Sequence, residues 1–459
     1  MIKPLVALFG SRLGDFSKDK GVKGNLIRGG VGSIGLKITN LFLTLLTTVV
    51  VAKILGPEQY GIYAYVLALV TLLSLPAQFG LPQLIVRETA KAHVHEEWGM
   101  MRGIWRWSSL LTGGLTTFIA VVALVGSSLF AERFSSLQLQ TLFWGILLVP
   151  LMALGQLRGA ALRGLRKVLQ GQLPELVIRP FLFLVLIGLF AWQYVPLTAS
   201  SAMALYALAS FFSFMIGAWL LWRHRPVGLH ECSDVEMKSK LWIKSALPLA
   251  LTSALMMVNN NLDVIMIGLY ASAVDVGIYR VSVQGGLLVA FGLQAMNMVL
   301  GPYFARFYAE KENKRLQQLA TTSARAILLL TIPVVIMFLM WGDELISLVF
   351  GNEYAGASIP LSIISIGQLM NAGFGSVGLL LSMTGHERES TKGVAVATMA
   401  NVLLNMLLIP VYGINGAAVA TAVTLFFWNV LLWIAVAKHL GVDTLAMPIA
   451  KRLRIGNKW

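Results

Sequence analysis

The chain has 459 residues, 57% hydrophobic and only 12% charged, with a mean hydropathy of +0.75. A soluble globular protein carries about a quarter charged residues, so a water-soluble domain of any size is excluded. The net charge of +15 fits the Lys and Arg that membrane proteins gather in cytoplasmic loops better than it fits nucleic-acid binding.

The first 31 residues carry Arg12, Lys18, Lys20, Lys23 and Arg28 and lack the apolar core of a cleavable signal. They are expected to form a basic cytoplasmic segment that stays attached. Twelve apolar runs follow, at roughly 32–54, 61–82, 108–130, 138–158, 173–194, 199–222, 243–269, 277–301, 319–341, 357–383, 393–412 and 415–437. Each can cross a hydrocarbon layer ~30 Å thick. None alternates with the period of a barrel strand, and only a helix satisfies its own backbone inside lipid. The predicted fold class is therefore an all-α polytopic membrane protein.

The connections fix an orientation. Loops after even-numbered spans are cationic: Arg87, Lys91, Arg102 and Arg106; then Arg163, Arg166 and Lys167; then Arg223, Arg225, Lys238 and Lys240; then Arg306, Lys311, Lys314 and Arg315. The tail adds Lys438, Lys451, Arg452, Arg454 and Lys458, whereas the alternate loops hold Glu132 with Arg133, Asp275, and Asp343, Glu344 and Glu353. Both ends are predicted to be cytoplasmic. The polar stretch 223–242 separates six spans from six. The expected organisation is a cytoplasmic segment 1–31, an N-terminal six-helix bundle 32–222, a cytoplasmic linker 223–242, a C-terminal six-helix bundle 243–437 and a cytoplasmic tail 438–459.

Gly61-Ile62-Tyr63 opens the second span and Gly277-Ile278-Tyr279 opens the eighth, an offset of 277 − 61 = 216 residues. A weaker echo joins GAALRGLRK at 159–167, before span five, to MTGHERESTK at 383–392, before span eleven. The halves are predicted to be repeats related by an axis along the membrane normal.

Ionisable and amide groups inside the spans mark candidate sites, since charges there face a cavity or a partner. Lys37 lies near the start of span one, and Glu175 and Arg179 are one turn apart in span five and able to pair. Asn259, Asn260, Asn261 and Asp263 crowd span seven; Arg280 enters span eight, Arg325 lies early in span nine, and Asn401 and Asn405 share a face of span eleven. Plainer readings stand beside these. Lys37, Arg280 and Arg325 are close enough to an interface to snorkel, Glu175 and Arg179 suit a structural ion pair, and the span-eleven asparagines suit helix–helix glue. Asp263 is deep in an apolar helix with no cation near it in its own span, Lys244 lying at the far end, which favours an aqueous cavity. Pro76, Pro82, Pro150, Pro180, Pro248, Pro333 and Pro410 only mark kinks.

Cys232 is the single cysteine, which excludes a disulfide framework and a Cys-based metal site. Six scattered histidines offer no zinc pattern, and there is no phosphate-binding loop and no Gly-x-Ser-x-Gly elbow. The short external loops disfavour a membrane-embedded polymerase or transferase, so a transporter without a cofactor is expected.

AKILGPEQYGIYAYVLALVTLLSLPAQFGLPQLIVRETAK, with Leu55, Gly56, Tyr60 and Gly61 in an LG-x-x-x-(Y/F)-G pattern, resembles the first-half signature of the polysaccharide transporter family. That family belongs to the multidrug/oligosaccharidyl-lipid/polysaccharide exporter superfamily and includes bacterial O-antigen flippases. NNLDVIMIGLYASAVDVGIYRVS at 260–282 resembles the corresponding second-half stretch. The resemblance implies two bundles rocking around a central cavity in the bacterial inner membrane. It implies a cargo of oligosaccharide on undecaprenyl pyrophosphate, moved to the periplasmic leaflet for O-antigen or exopolysaccharide synthesis, with a polysaccharide polymerase and a chain-length regulator as partners. Lys37, Arg179, Arg280 and Arg325 match by type and span the cations that meet the pyrophosphate. Asp263, Asn259, Asn260, Glu175, Asn401 and Asn405 are expected to line the cavity or couple to a proton or sodium gradient. An ion-coupled multidrug or metabolite antiporter of the same superfamily is the alternative; the excess of cations over carboxylates in the spans favours an anionic cargo.

Overall fold

The computed structural model of the chain describes residues 22–129, 135–193, 196–231 and 234–446; these contain helices and no strand. The basic stretch around Arg12, Lys18 and Lys20, the Glu132–Arg133 turn, Cys232 and the tail cations from Lys451 onward lie outside the described residues.

Ten helical units are long and apolar enough to cross a membrane. Two of them are double. Val22–Gln78 has 57 residues and would run about 85 Å if straight, but it breaks at Gly56, where φ is 71° and ψ 170°. Glu387–Leu440 breaks in the same way at Gly413, with φ 55° and ψ −136°. Only glycine takes such positive φ without strain, which explains the Gly of the LG pattern. Each break separates two spans, giving spans one and two and spans eleven and twelve. Between them run Trp98–Leu129 (three), Ser136–Ile146 with Leu148–Gly164 (four), and Val168–Leu173, the π-turn Pro174–Ile178 and Arg179–Trp192 (five). Ala199–Arg223 (six), Ser239–Tyr270 (seven), Ala273–Ala309 (eight), Asn313–Val349 (nine) and Asn352–Ala357 with Ser358–Phe374 (ten) complete the set. The protein is thus a polytopic membrane protein of twelve crossing helices, six in each half.

The turns at the two ends of the bundle differ in chemistry. Spans four, six and eight all start at the end away from the cationic loops, and each starts with a capping box: Ser135 with Gln138, Thr198 with Ser201, and Ser272 with Asp275. The reciprocal bonds satisfy amide groups that lipid could not. At the cationic end the stretch 83–107, expected as a loop, is helical instead. Leu81–Val94 follows a left-handed Gly80 (φ 67°), and span three begins already at Trp98. Spans eight and nine, at 37 residues each, are longer than the bilayer requires and project beyond it. The predicted tenth span also divides at Gly375 (φ 70°), leaving Val377–Met383 as a separate short helix.

The two halves meet along spans one and two against spans seven and eight. The repeated tripeptides lie at the crossing. A Cβ on Gly61 would strike the Ala273 carbonyl and come 3.0 Å from the Gly277 nitrogen, and one on Gly277 would strike the Pro57 carbonyl. Nearby, the Tyr354 hydroxyl donates to the Ala52 carbonyl at 2.9 Å and Lys53 Nζ to the Leu348 carbonyl at 3.4 Å. These contacts seal the end away from the cationic loops. At the cationic end, Gly80 packs on the backbone at Ala246–Ala250 of span seven, and Gln83 Nε2 donates to Ser253 Oγ at 3.0 Å. The outer surface is apolar, with Leu110, Phe118, Trp192 and Leu329 each about two-thirds exposed or more where acyl chains would lie.

Candidate functional site

Three polar clusters interrupt the apolar interior. The first is in the N-terminal bundle. The π-turn Pro174–Ile178 of span five carries Glu175, whose Oε2 pairs with Arg179 Nη1 at 2.8 Å and whose Oε1 pairs with Arg158 Nη2 of span four at 3.2 Å. Arg158 Nη1 also donates to the Phe214 and Ser213 carbonyls of span six, at 2.6 and 3.3 Å. Arg179 stacks on Tyr206, 5.6 Å from its centroid, beside a cluster of Tyr63, Phe183 and Tyr206. Glycines make this possible. A Cβ at Gly155 would come 2.6 Å from Glu175 Oε1, and one at Gly217 would overlap the Arg158 guanidinium. Two cations share one carboxylate, so the cluster keeps one positive charge. Arg179 is therefore not a free cation but one of two that share a single carboxylate.

The second cluster is in the C-terminal bundle. Asp263 Oδ2 accepts from Thr421 Oγ1 of span twelve at 2.6 Å and from the Tyr279 hydroxyl of span eight at 3.0 Å. Asp263 Oδ1 accepts from Asn405 Nδ2 of span eleven at 2.6 Å, and the same Nδ2 reaches Asn401 Oδ1 at 3.0 Å. Asn405 Oδ1 is buried with no hydrogen-bond partner among the described residues. A single carboxylate surrounded by hydroxyl and amide oxygens, one of them idle, is a donor set for a proton or a small hard cation of one charge. Asn259 and Asn260, although neighbours in sequence, do not join it: Asn259 is half-buried and Asn260 exposed. Glu175 lies in the other bundle.

The third is the cleft between the bundles. Spans one, five and eight enclose a cavity of about 640 Å³ lined by Lys37, Asn40 and Thr44 on one side and Gln284, Gln294 and Asn297 on the other. Among the described residues no carboxylate lines it. Arg280 lies one turn beyond Gln284 toward the sealed end, half-buried beside Tyr60. Among the described residues neither Lys37 nor Arg280 has an acidic partner, in contrast to Arg179. Arg325 stands apart. It is exposed at the cationic end and donates to the Ala446 carbonyl at 2.9 Å, because span nine projects past the bilayer and the segment 441–446 folds across it.

Of the residues singled out in the sequence, Asp263, Asn401 and Asn405 come together, Glu175 and Arg179 pair, and Lys37 lines the cleft. Arg158, Tyr279, Thr421, Asn40, Gln284, Gln294 and Asn297 were not anticipated. A one-face pattern of Gln284, Gln294 and Asn297 along span eight was the signal available for the last three.

The sequence matches the family model described as "Polysaccharide biosynthesis protein" over residues 26–308, and the model MatE over residues 248–411. It is 26% identical over 405 residues to a protein of Haloferax volcanii described as "Probable low-salt glycan biosynthesis flippase Agl15", covering 85% of this chain and 80% of that one. It is 23% identical over 429 residues to "Probable flippase AglR" of the same organism, covering 92% and 85%. A "Capsular polysaccharide biosynthesis protein CapF" of Staphylococcus aureus is 26% identical over 230 residues, 49% of this chain and 57% of that one. The fold resembles that of an inward-facing multidrug resistance MATE family transporter of the MOP superfamily, with a TM-score of 0.75, 12% identity and 90% and 98% of the two chains covered. It also resembles the lipid II flippase MurJ in an inward closed conformation, with a TM-score of 0.68, 14% identity and 89% and 87% covered.

Proposed function

The chain belongs to the family of polysaccharide biosynthesis proteins, whose family model spans residues 26–308, and from that premise we propose that it is a flippase for lipid-linked oligosaccharide. The cargo is an oligosaccharide on a polyprenyl pyrophosphate of the undecaprenyl kind, carried from the cytoplasmic to the outer leaflet of a bacterial-type cytoplasmic membrane by alternating access. Both chain termini are then cytoplasmic, and the product feeds assembly of a surface polysaccharide such as O-antigen or exopolysaccharide.

The observation that carries this reading is the make-up of the interbundle cleft. Lys37 lies across from the amides Gln284, Gln294 and Asn297 of span eight, which are interleaved with Leu287, Phe291 and Met298, and among the described residues no carboxylate lines the cavity. A cation offers charge-assisted hydrogen bonds to phosphate oxygens. Asn40, Thr44, Gln284, Gln294 and Asn297 supply the paired donors and acceptors that sugar hydroxyls require. A gap between two spans lets the polyprenyl tail stay in lipid while its head, which could not cross ~30 Å of hydrocarbon alone, moves within protein. Arg280, nearer the sealed end and without an acidic partner among the described residues, is where the pyrophosphate would pass next. Arg179 would join only if Glu175 kept Arg158 as its partner.

The gates follow from the contacts at the two ends. Loading from the cationic side would part the contacts of Gly80 and Gln83 with span seven, and release on the other side would part the crossing of spans two and eight at Gly61 and Gly277. A change of this kind between two similar bundles is the usual geometry of alternating access. Asp263 and its oxygen-rich surroundings would bind the driving proton or sodium ion, since ligation there ties spans seven, eight, eleven and twelve together.

The test is reconstitution of the purified chain in vesicles holding a polyprenyl-pyrophosphate oligosaccharide with a fluorescent sugar, followed by quenching from outside. Time-dependent loss of protected fluorescence is expected, faster with an imposed sodium or proton gradient. Protection equal to that of empty vesicles, together with gradient-driven efflux of a cationic dye, would favour the antiporter instead.

A further inference from the structure

Outside the cleft, on the flank of the N-terminal bundle, lies a groove of about 690 Å³. Its floor is span four, at Leu154, Leu157 and Ala161, and its walls are span three and span six, both of which pack on span four. At its cationic end stand Arg102 and Arg106, one turn apart on span three, and Arg225, just beyond the end of span six at Arg223. Arg102 Nη2 is steered by the Leu229 carbonyl at 2.6 Å. No carboxylate lines the groove, and among the described residues none of these three arginines takes part in an ion pair. Farther along, Leu110, Phe214, Ala218 and Leu221 make the walls apolar, and Leu110, 72% exposed, forms the outer lip.

We propose that this groove holds an anionic glycerophospholipid of the leaflet on the cationic side. Its phosphate sits among Arg102, Arg106 and Arg225, and one acyl chain runs along Leu110, Phe214 and Leu221. The need to keep cations on one side of the membrane explains arginines at this level. It does not explain why one of them is fixed by a backbone carbonyl, why none has an acidic partner among the described residues, or why they cap an apolar trough open to the bilayer. Those three features together match a charged head with a greasy tail, and basic pockets between helices on this side of a membrane are where such heads bind. The flat guanidinium fork suits the phosphate. At the floor is Arg158, the same residue that pairs with Glu175, so the occupant would rest against the ion cluster that braces the bundle. The inference does not depend on the identity of the transported glycan.

The test uses the full chain, delipidated in an uncharged detergent, and titrates tail-labelled phosphatidylglycerol, tail-labelled phosphatidylcholine and unlabelled glycerol phosphate as competitor. Phosphatidylglycerol should bind more tightly than phosphatidylcholine, and its affinity should fall as salt is raised. With roughly a fivefold contribution per arginine, R102Q/R106Q/R225Q should lose most of the preference, on the order of a hundredfold. R102K/R106K/R225K, which keeps the charge needed for insertion, should lose less. Ala218→Trp leaves the charges and fills the trough, and should weaken phosphatidylglycerol while leaving the weak competition by glycerol phosphate unchanged. Equal affinity for the two lipids would overturn the proposal. So would glycerol phosphate competing as strongly as the lipid with Ala218→Trp silent, which would mark a site for soluble phosphate.

Discussion

Gly61 and Gly277, equivalent positions in the two halves, touch each other where spans two and eight cross. The repeat seen in the sequence is thus also the place where the halves are joined, and neither partner has room for a methyl group. Gly277→Ala should destabilise the sealed state by about 1–3 kcal/mol, the usual cost of overpacking a close contact. Thermal melting of the purified protein measures this. Gly35→Ala, on the first span with nothing near its Cβ position, is the comparison and should melt at or slightly above the parent. If Gly277→Ala melts like Gly35→Ala, the crossing is not a tight joint.

The ion cluster makes an asymmetric prediction. Glu175 serves two arginines, so Glu175→Gln strands Arg158 and Arg179 in the bundle, and Arg158 has only 5% of its side chain exposed. Breaking a buried pair in this way costs about 3–5 kcal/mol. Arg158→Met leaves Glu175 with Arg179 and should cost less. The double variant E175Q/R158M should be more stable than the sum of the singles predicts, a coupling read from a double-mutant cycle of melting free energies.

The four cations singled out in the sequence separate by environment, and their variants should separate too. Lys37→Gln and Arg280→Ala remove cations that border the cleft and have no acidic partner among the described residues, and should cut transport at least tenfold while membrane insertion is unchanged. Arg325→Ala removes only a bond to the Ala446 carbonyl and should transport within about twofold of the parent. Equal losses in all three would mean that the cleft cations have no particular role.

Much of this fold can be read from hydropathy alone. The sixth span, expected at 199–222, is Ala199–Arg223, because a bilayer imposes one length on every crossing helix. Polar partnerships were less accessible. Arg158 sits five residues before Arg163 and reads like another cation of the turn; what buries it is the missing side chain of Gly217, two spans later. Asp263 stood out as a charge far along its helix from the cations Lys240 and Lys244, yet nothing local pointed to Thr421, 158 residues away. Single unusual residues can be found one helix at a time, whereas their partners are chosen by packing between helices.

Asp263 gives the most direct test of energy coupling. It accepts three hydrogen bonds, from Tyr279, Thr421 and Asn405. An asparagine is nearly isosteric there and its carbonyl oxygen can still accept. Its NH2 group would face hydroxyls that can themselves accept. Asp263→Asn should therefore fold and melt close to the parent, losing only the negative charge. Without that charge a cation in the pocket has no counter-ion, so transport by Asp263→Asn should become insensitive to a sodium or proton gradient, its rate falling to the level the parent shows with no gradient imposed. Asn401→Ala, which removes an oxygen but not the charge, should shift the cation concentration for half-maximal stimulation upward by severalfold without abolishing the response. The measurement is flipping rate against imposed sodium and pH gradients in vesicles. A full gradient response in Asp263→Asn would move the coupling site elsewhere in the protein, whatever the fate of the cleft.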